Sequence, residues 1–348
     1  PLGTDLQFLR AVNFLRATHL NLVRGVVGAY QRFRRLRHKE GRHYAPDAHD
    51  ALERAVLGGH ELDLVLLVML RHAGRLLEAA RRSRIDLSRY AVLAVVRGEY
   101  VTQVVVDEAT DFSPLQLACM LELTEPAFRS MFVCGDVRQR ITNWGIRSIE
   151  QLRWVAADFE MREIGVGYRQ SRRLADLAKD IALIGGGPVP EIRHVDETET
   201  ADVKLWLGEG LAGPLLARWL ADRTMRIEME LGSVPSIAIF VDGEELIDQL
   251  VRELQPLLAE RNLAATACKG GVVGQEDRIR VFDVQHIKGL EFEAVFFVGI
   301  DQLAARVPDL FDKFLYVGIT RAATYLGLTC ETKLPAVLEP LRDRFTSD

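Results

Sequence analysis

Apolar residues in the first quarter of the chain recur at intervals of three and four. From residue 5 to about residue 91 this spacing, seen at Leu9, Val12 and Leu15, predicts helices throughout. The most apolar stretch, at 62–70, is far shorter than a membrane span and predicts a buried helix. No signal peptide is visible, so the pattern indicates neither a membrane segment nor export.

After residue 98 the pattern changes to short apolar runs that alternate with amphipathic helices. The predicted strands lie at 101–106, 130–134, 236–241, 281–284, 294–299 and 325–329, with helices at 114–123 and 244–258 among them. The stretches at 185–188 and 191–202 are rich in glycine or polar residues and predict a surface excursion. Such alternation predicts an α/β fold with parallel sheets, whose chemistry lies at the C-terminal ends of the strands.

Composition narrows the class of protein only slightly. The net charge of −5 and the pI of about 6.0 give no global basic field, and they neither support nor exclude DNA binding. A basic run at 32–42 is open to two readings, a solvated helix end or a phosphate-contacting patch. The four cysteines form no CxxC pair, which argues against structural zinc and favours a reducing, cytoplasmic setting.

The first chemical signal is a pair of adjacent carboxylates, Asp107 and Glu108, directly after the apolar run at 104–106. In nucleotide hydrolases the first carboxylate of such a pair holds Mg²⁺, and the second orients and deprotonates the attacking water. By itself the pattern is weak, because many strands end in acidic residues.

Further strings follow in a fixed order and make the signal specific. They are DEATDFSPLQ at 107–116, FVCGDVRQ at 132–139, GYRQS at 167–171, HIKGLEF at 286–292 and LYVGITRA at 315–322. Together they resemble motifs II to VI of UvrD/Rep-like superfamily 1A DNA helicases. One such string could arise by chance, whereas five in the family's order are far more specific.

The resemblance implies two RecA-like parallel sheets that bind ATP and Mg²⁺ between them and act on single-stranded DNA or a single/double-strand junction. The expected extents are a helical segment at 1–95, the rest of an incomplete first RecA-like domain at 96–160, and a second at 161–348. Only about 110 residues separate motifs IV and V, so the large inserted 2B domain is expected to be small or absent.

The resemblance also assigns roles to individual residues. Asp107 would bind Mg²⁺ and Glu108 would be the catalytic base, with Arg169 and Arg321 as arginine fingers on the γ-phosphate. The remaining candidates contact ATP (Gln139, Tyr168 and Glu291) or DNA (Trp144, Gln285 and His286).

Each of these roles has a plainer alternative. Trp144 and Tyr168 are also readable as half-buried aromatics, and Glu291 as a surface acid. Arg321 is also readable as an exposed arginine that follows a strand-to-helix turn.

The chain departs from the family pattern at several places. It contains no GxxxxGK[ST] phosphate loop, and the expectation is that this loop lies upstream of residue 1, since Pro1–Thr4 resemble a cleaved tag. The chain alone is therefore expected to be inactive as an ATPase. Gly145, Gly167, Asp283 and Gln285 also replace usual motif residues, which puts the DNA-backbone contacts of motif V in doubt.

The sequence thus predicts a fragment of an ATP-dependent DNA helicase or translocase with 3′-to-5′ polarity. The alternative is a motor-dead, helicase-like module that binds DNA or a protein partner as a scaffold. An unrelated α/β nucleotide-binding regulator remains if the motif matches are accidental.

Overall fold

The computed structural model describes residues 27–41, 58–84, 86, 97–139, 144–164, 166–167, 170–186, 193–194, 203–275 and 277–346. The chain divides into two compact units, one of residues 1–137 and 142–160, the other of residues 138–141 and 161–348. The finer assignment of 1–95, 96–160 and 161–348 to named helicase domains remains a prediction.

The first unit combines helices with a short parallel sheet. Its elements are α1 (Val27–Lys39), α2 (Gly59–Arg82), β1 (Gln103–Val106), α3 (Pro114–Glu122), β2 (Ser130–Val133) and α4 (Ile149–Val155). Strands β1 and β2 pair in parallel, from Gln103 beside Ser130 to Val106 beside Val133. Their inner face packs with α2, α3 and α4 into one apolar core that contains Leu67, Leu117 and Ile146.

Helix α3 begins where the sequence places a strong start signal. The Ser113 hydroxyl accepts a hydrogen bond from the Gln116 N–H at 3.2 Å, and the Gln116 side chain accepts one from the Ser113 N–H at 2.9 Å. This reciprocal cap satisfies two backbone donors, and Pro114 suits the first helical position because it has no N–H to lose. The loop after β1 is therefore tied closely to the helix that follows.

Two predictions of burial in this unit are wrong for one face each. In α2, Val65 and Leu67 are buried, but Leu62 exposes 56% of its surface. In β1, Val106 is buried, whereas Val105 exposes 65% and lies beside the equally outward Phe132 of β2. The apolar composition predicted these elements correctly. It could not show that, among the described residues, one face of each element is exposed.

One arginine of the basic run is neither solvated nor set to contact phosphate. Arg34 of α1 is buried and forms an ion pair with Glu61 of α2, at 2.6 Å between Nη1 and Oε2. The same Glu61 oxygen accepts the Gly58 N–H at 2.8 Å, so it also caps α2. Arg32 and Arg35 are exposed, and for them both readings stay open.

The second unit contains a larger sheet. Its strands are β3 (Val166–Gly167), β4 (Arg193–His194), β5 (Lys204–Gly208), β6 (Ile237–Val241), β7 (Ala265–Cys268), β8 (Ile279–Asp283), β9 (Phe292–Phe297) and β10 (Ala322–Thr329). Its helices are α5 (Arg172–Ile184), α6 (Gly213–Leu231), α7 (Glu244–Ala259), α8 (Ile300–Arg306) and α9 (Phe311–Ile319). Strands β3 and β4 form a separate parallel pair.

Six strands form one parallel sheet in the order β5-β10-β9-β6-β8-β7. Along β6, Ala238 and Phe240 face a core that includes α5 and α9, while Ile237 and Ile239 face a core that includes α6 and α7. Both faces are therefore covered, as parallel sheets require. The α/β fold with parallel sheets is confirmed, and the observed architecture is consistent with RecA-like helicase domains.

No helix among the described residues is both long and apolar enough to cross a membrane. All four cysteines are free thiols, and only Cys134 is exposed.

We expect Arg34→Met to lower the free energy of unfolding of the first unit by about 3–5 kcal/mol, because Glu61 would stay buried without its counter-charge. Urea unfolding followed by circular dichroism measures this change. Arg35→Met, in the same helix but exposed, is the matched control and should cost little. Arg34→Met combined with Glu61→Met should recover part of the loss; equal stability of the single variants would contradict the buried pair.

Candidate functional site

One candidate region, in the first unit, is the C-terminal end of the β1–β2 pair. Asp107 follows β1 directly and is exposed, and its Oδ1 accepts the Glu108 N–H at 2.8 Å. Glu108 has φ 50° and ψ 45°, the left-handed conformation that side chains other than glycine rarely adopt. Backbone strain of this kind is concentrated at functional positions, where surrounding contacts hold it in place.

Strand β2 holds this turn from the other side. The Cys134 N–H donates to the Val106 carbonyl at 2.9 Å, and the Ala109 N–H donates to the Cys134 carbonyl at 2.8 Å. At Gly135 a Cβ would lie 3.0 Å from the Ala109 nitrogen, so a larger residue would require the backbone to shift by a few tenths of an ångström. The positions of Asp107 and Glu108 are therefore fixed by backbone contacts on both strands.

The Cys134 thiol lies against the first carboxylate. Its Sγ donates to Asp107 Oδ1 at 3.2 Å. Partial burial is the main cause that raises the pKa of this thiol, followed by the hydrogen bond and charge of Asp107 and the charge of Glu108. The thiol is thus kept in its neutral, donating form.

The donor set at this edge suits a Mg²⁺ ion that is shared with a substrate. Within the described ranges, no three His, Cys, Asp or Glu side chains group closely enough to hold a metal by themselves. Mg²⁺ in phosphoryl-transfer sites takes only one or two carboxylates and completes its shell with water and substrate phosphates. Asp107, a hard and exposed oxygen ligand, fits that requirement.

A separate candidate region, in the second unit, is the turn between α9 and β10. Arg321 is buried there, with a relative exposure of 6%. Its guanidinium donates to the Leu290 carbonyl at 3.2 Å, to the Val317 carbonyl at 3.3 Å, and to the Gln139 side-chain oxygen. The alternative of an exposed arginine after a strand-to-helix turn is wrong, because Arg321 follows a helix, precedes a strand and is enclosed.

Segments from three of the sequence strings meet at this turn. The Gln170 side-chain amide donates to the Ile319 and Ala322 carbonyls at 3.0 and 3.1 Å. The Phe292 N–H donates to the Arg321 carbonyl at 2.9 Å. The loop before α5, the start of β9 and the α9–β10 turn therefore form one hydrogen-bonded unit.

Gln170 was absent from the sequence-based candidates. It lies in the string at 167–171, directly after the candidate residues Tyr168 and Arg169. Nothing in a local pattern signals that an uncharged amide will reach two carbonyls about 150 positions away.

The candidate residues of the six-stranded sheet lie at opposite ends of its strands. Gln285 and His286 follow β8 at its C-terminal end and are exposed, as predicted for chemistry at strand ends. Arg321 and Leu290 instead precede β10 and β9, at the opposite, N-terminal edge. Arg321 therefore does not lie where the sequence pattern placed the chemistry, at the C-terminal ends of the strands.

The departures in motif V have a local structural reason. Asp283 is buried at the end of β8, and its Oδ1 accepts the Gln285 N–H at 3.0 Å, which stabilises the turn that presents Gln285 and His286. His286 Nδ1 lies 3.9 Å from the Glu244 carboxylate of α7. Two carboxylates, Asp283 and Glu244, thus lie next to this turn, and their negative charge disfavours a phosphate there.

Two further candidate residues, Trp144 and Glu291, are exposed. Trp144 in the first unit exposes 51% of its surface, while Ile146 beside it is buried and its N–H donates to the Phe112 carbonyl at 3.1 Å. Glu291 is exposed in the second unit, next to Leu290. Tyr168 and Arg169 lie outside the described residues. The structure thus brings together Asp107 with Glu108 and, separately, Gln139 with Arg321.

Comparison with known proteins supports the resemblance for part of the chain. Residues 278–329, which run from just before β8 to the end of β10, match the family of UvrD-like helicase C-terminal domains. These residues are therefore similar to that family, and the resemblance to the C-terminal part of these helicases is confirmed. No curated protein matches the chain.

A solved structure is similar at a lower level. It is the C-terminal domain of a possible DNA helicase from Lactobacillus plantarum WCFS1, with 18% sequence identity and a TM-score of 0.38. The match covers 52% of this chain and 98% of that one. A likeness at that level carries no weight for the roles of individual residues.

We expect Gln170→Leu to destabilise the α9–β10 turn by about 1–3 kcal/mol, because it leaves the Ile319 and Ala322 carbonyls without their side-chain donor. Hydrogen–deuterium exchange of residues 317–324 should become faster. Gln302→Leu, an exposed site on α8, is the matched control. Unchanged exchange in the Gln170 variant would show that the turn is held without this amide.

Proposed function

We propose that this chain is part of an ATP-dependent DNA helicase or translocase of superfamily 1A, with 3′-to-5′ polarity, acting in the cytoplasm. Its cofactors are ATP and Mg²⁺, and its partner is single-stranded DNA or a single/double-strand junction. The observation that carries the proposal is the network around Arg321, where Gln139 of motif III, Leu290 of motif V and Val317 of motif VI accept hydrogen bonds from one guanidinium.

The network suits an arginine finger. A guanidinium gives planar, bidentate contact with phosphate oxygens, and such fingers contribute about 10³–10⁵ in rate. Its carbonyl contacts to Leu290 and Val317 set its position in advance. A γ-phosphate oxygen carries charge and is a stronger acceptor than the Gln139 amide, so it would compete for Arg321 and release Gln139. In this way Gln139 senses the nucleotide state.

The carboxylate pair supplies the other half of the chemistry. A bound Mg²⁺ would neutralise the negative charge that develops on the transferred phosphate. Asp107 would hold the ion, and Glu108 would orient the attacking water and accept its proton. Tyr168 and Glu291 bind the adenine and the ribose, and Arg169 is the second finger.

DNA is held by different groups. Trp144 stacks on an unpaired base, which contributes roughly 1–3 kcal/mol without sequence preference. Gln285 and His286 contact the strand from the C-terminal edge of the six-stranded sheet, away from Arg321. Nucleotide and DNA therefore use opposite edges of that sheet, and the elements between them can transmit a change.

The second candidate function is a motor-dead module that binds DNA or a protein partner as a scaffold. The sequence feature that favours it is the absence of GxxxxGK[ST] from these 348 residues. The ordered contacts of Asp107, Glu108, Gln139 and Arg321 favour the motor, because a scaffold has no use for them.

We expect these 348 residues alone to show no DNA-stimulated ATP hydrolysis, because the sequence contains no phosphate loop to hold the β- and γ-phosphates. Phosphate release, measured with and without an oligonucleotide, should equal that of a Glu108→Gln control. Turnover above that control would mean that the phosphates are held in another way.

We expect weak binding of single-stranded DNA that falls steeply as salt rises from about 50 to 200 mM, because phosphate contacts release counterions. Trp144→Ala should weaken binding by roughly 1–3 kcal/mol, measured by fluorescence anisotropy with a labelled oligonucleotide. Trp154→Ala is the matched control, since Trp154 exposes 53% of its surface in the same unit but lies outside the motifs. Equal effects of both variants would remove the stacking role of Trp144.

A further inference from the structure

Cys134 occupies a position that the resemblance leaves without a role, since the motif III pattern begins at the next residue, Gly135. Because β1 and β2 pair with Val106 beside Val133, the residues that follow each strand, Asp107 and Cys134, lie side by side. Backbone hydrogen bonds of 2.9 and 2.8 Å fix Cys134 on both sides. Its backbone is therefore held beside Asp107, and from there Sγ reaches Asp107 Oδ1 at 3.2 Å and the Val106 carbonyl oxygen at 3.7 Å.

The thiol shares one carboxylate oxygen with a backbone donor. Asp107 Oδ1 accepts the Glu108 N–H at 2.8 Å and the Cys134 thiol at 3.2 Å. Two donors converging on one oxygen restrict rotation of the carboxylate about its Cβ–Cγ bond. A thiol is a weak donor, so it orients the carboxylate while leaving most of its negative charge available to a cation.

We propose that Cys134 is a positioning residue that orients Asp107 for divalent-cation binding. The inference rests on the proposed function, in which Asp107 is the Mg²⁺ ligand. Groups that hydrogen-bond to a metal ligand commonly change metal affinity by about 10–100-fold when they are removed. For a weak donor we expect the lower end of that range, about tenfold.

The test measures Mn²⁺ binding to the full chain by electron paramagnetic resonance, without nucleotide, in the weak-binding range expected when water completes the shell around one or two carboxylates. Cys134→Val removes the donor at similar size and should raise the Kd for Mn²⁺ about tenfold. Cys134→Ser keeps a donor and should stay within about twofold of the unchanged chain. Asp107→Asn should abolish the binding. Cys119→Val is the matched control, because that buried thiol donates to the Asp63 carbonyl instead.

The infrared S–H stretch is a second readout that merely structural packing would not move. The band that Cys134→Val removes should lie at a lower frequency than those of the other thiols, and Asp107→Ala should shift it upward. These measurements do not depend on a bound cation.

The outcomes separate the inference from the proposed function. If Asp107→Asn abolishes Mn²⁺ binding but Cys134→Val leaves it unchanged, the positioning role is wrong and the metal assignment stands. If Asp107→Asn keeps the full affinity, the cation is held elsewhere and both are wrong. An S–H stretching frequency of Cys134 that does not change in Asp107→Ala would also overturn the role of Cys134.

Discussion

A parallel sheet must be covered by helices on both faces, and this requirement determines the architecture of the second unit. Central strands β6 and β9 send Phe240 and Phe297 to one face and Ile239 and Phe296 to the other, and helices lie over both. Since all six strands are parallel, every connection runs from the C-terminal end of one strand back to the N-terminal end of the next. The Arg321 turn and the Gln285–His286 turn thereby come to opposite edges.

The burial of Arg321 is the consequence with most bearing on function. A guanidinium is never deprotonated in a protein, so it can be enclosed only where acceptors surround it. Two main-chain carbonyls and the Gln139 amide provide them. The charge is therefore held in one place before any phosphate arrives, and preorganisation of this kind is what a catalytic electrostatic group requires.

The first unit meets the sheet requirement less fully. Its two strands are covered on one face by α2, α3 and α4, while Val105 and Phe132 on the other are exposed. The end of the sheet is nonetheless well defined, because hydrogen bonds between the strands, a strained Glu108 and a closely packed Gly135 fix it. Order at the carboxylates depends on these local backbone contacts.

The alternation of strands and helices, the helix at 114–123 and the carboxylate pair at a strand end could be predicted from the sequence alone. Each of these follows from residues close together in the chain, where periodicity and capping act directly. Three hydrogen bonds became apparent only in the folded structure. The buried Arg321 donates to Gln139, 182 positions away, Gln170 donates to the turn that contains Arg321, and Cys134 donates to Asp107. Such contacts depend on which strands become neighbours, and that order is set by packing on both faces of the sheet, which no local pattern encodes.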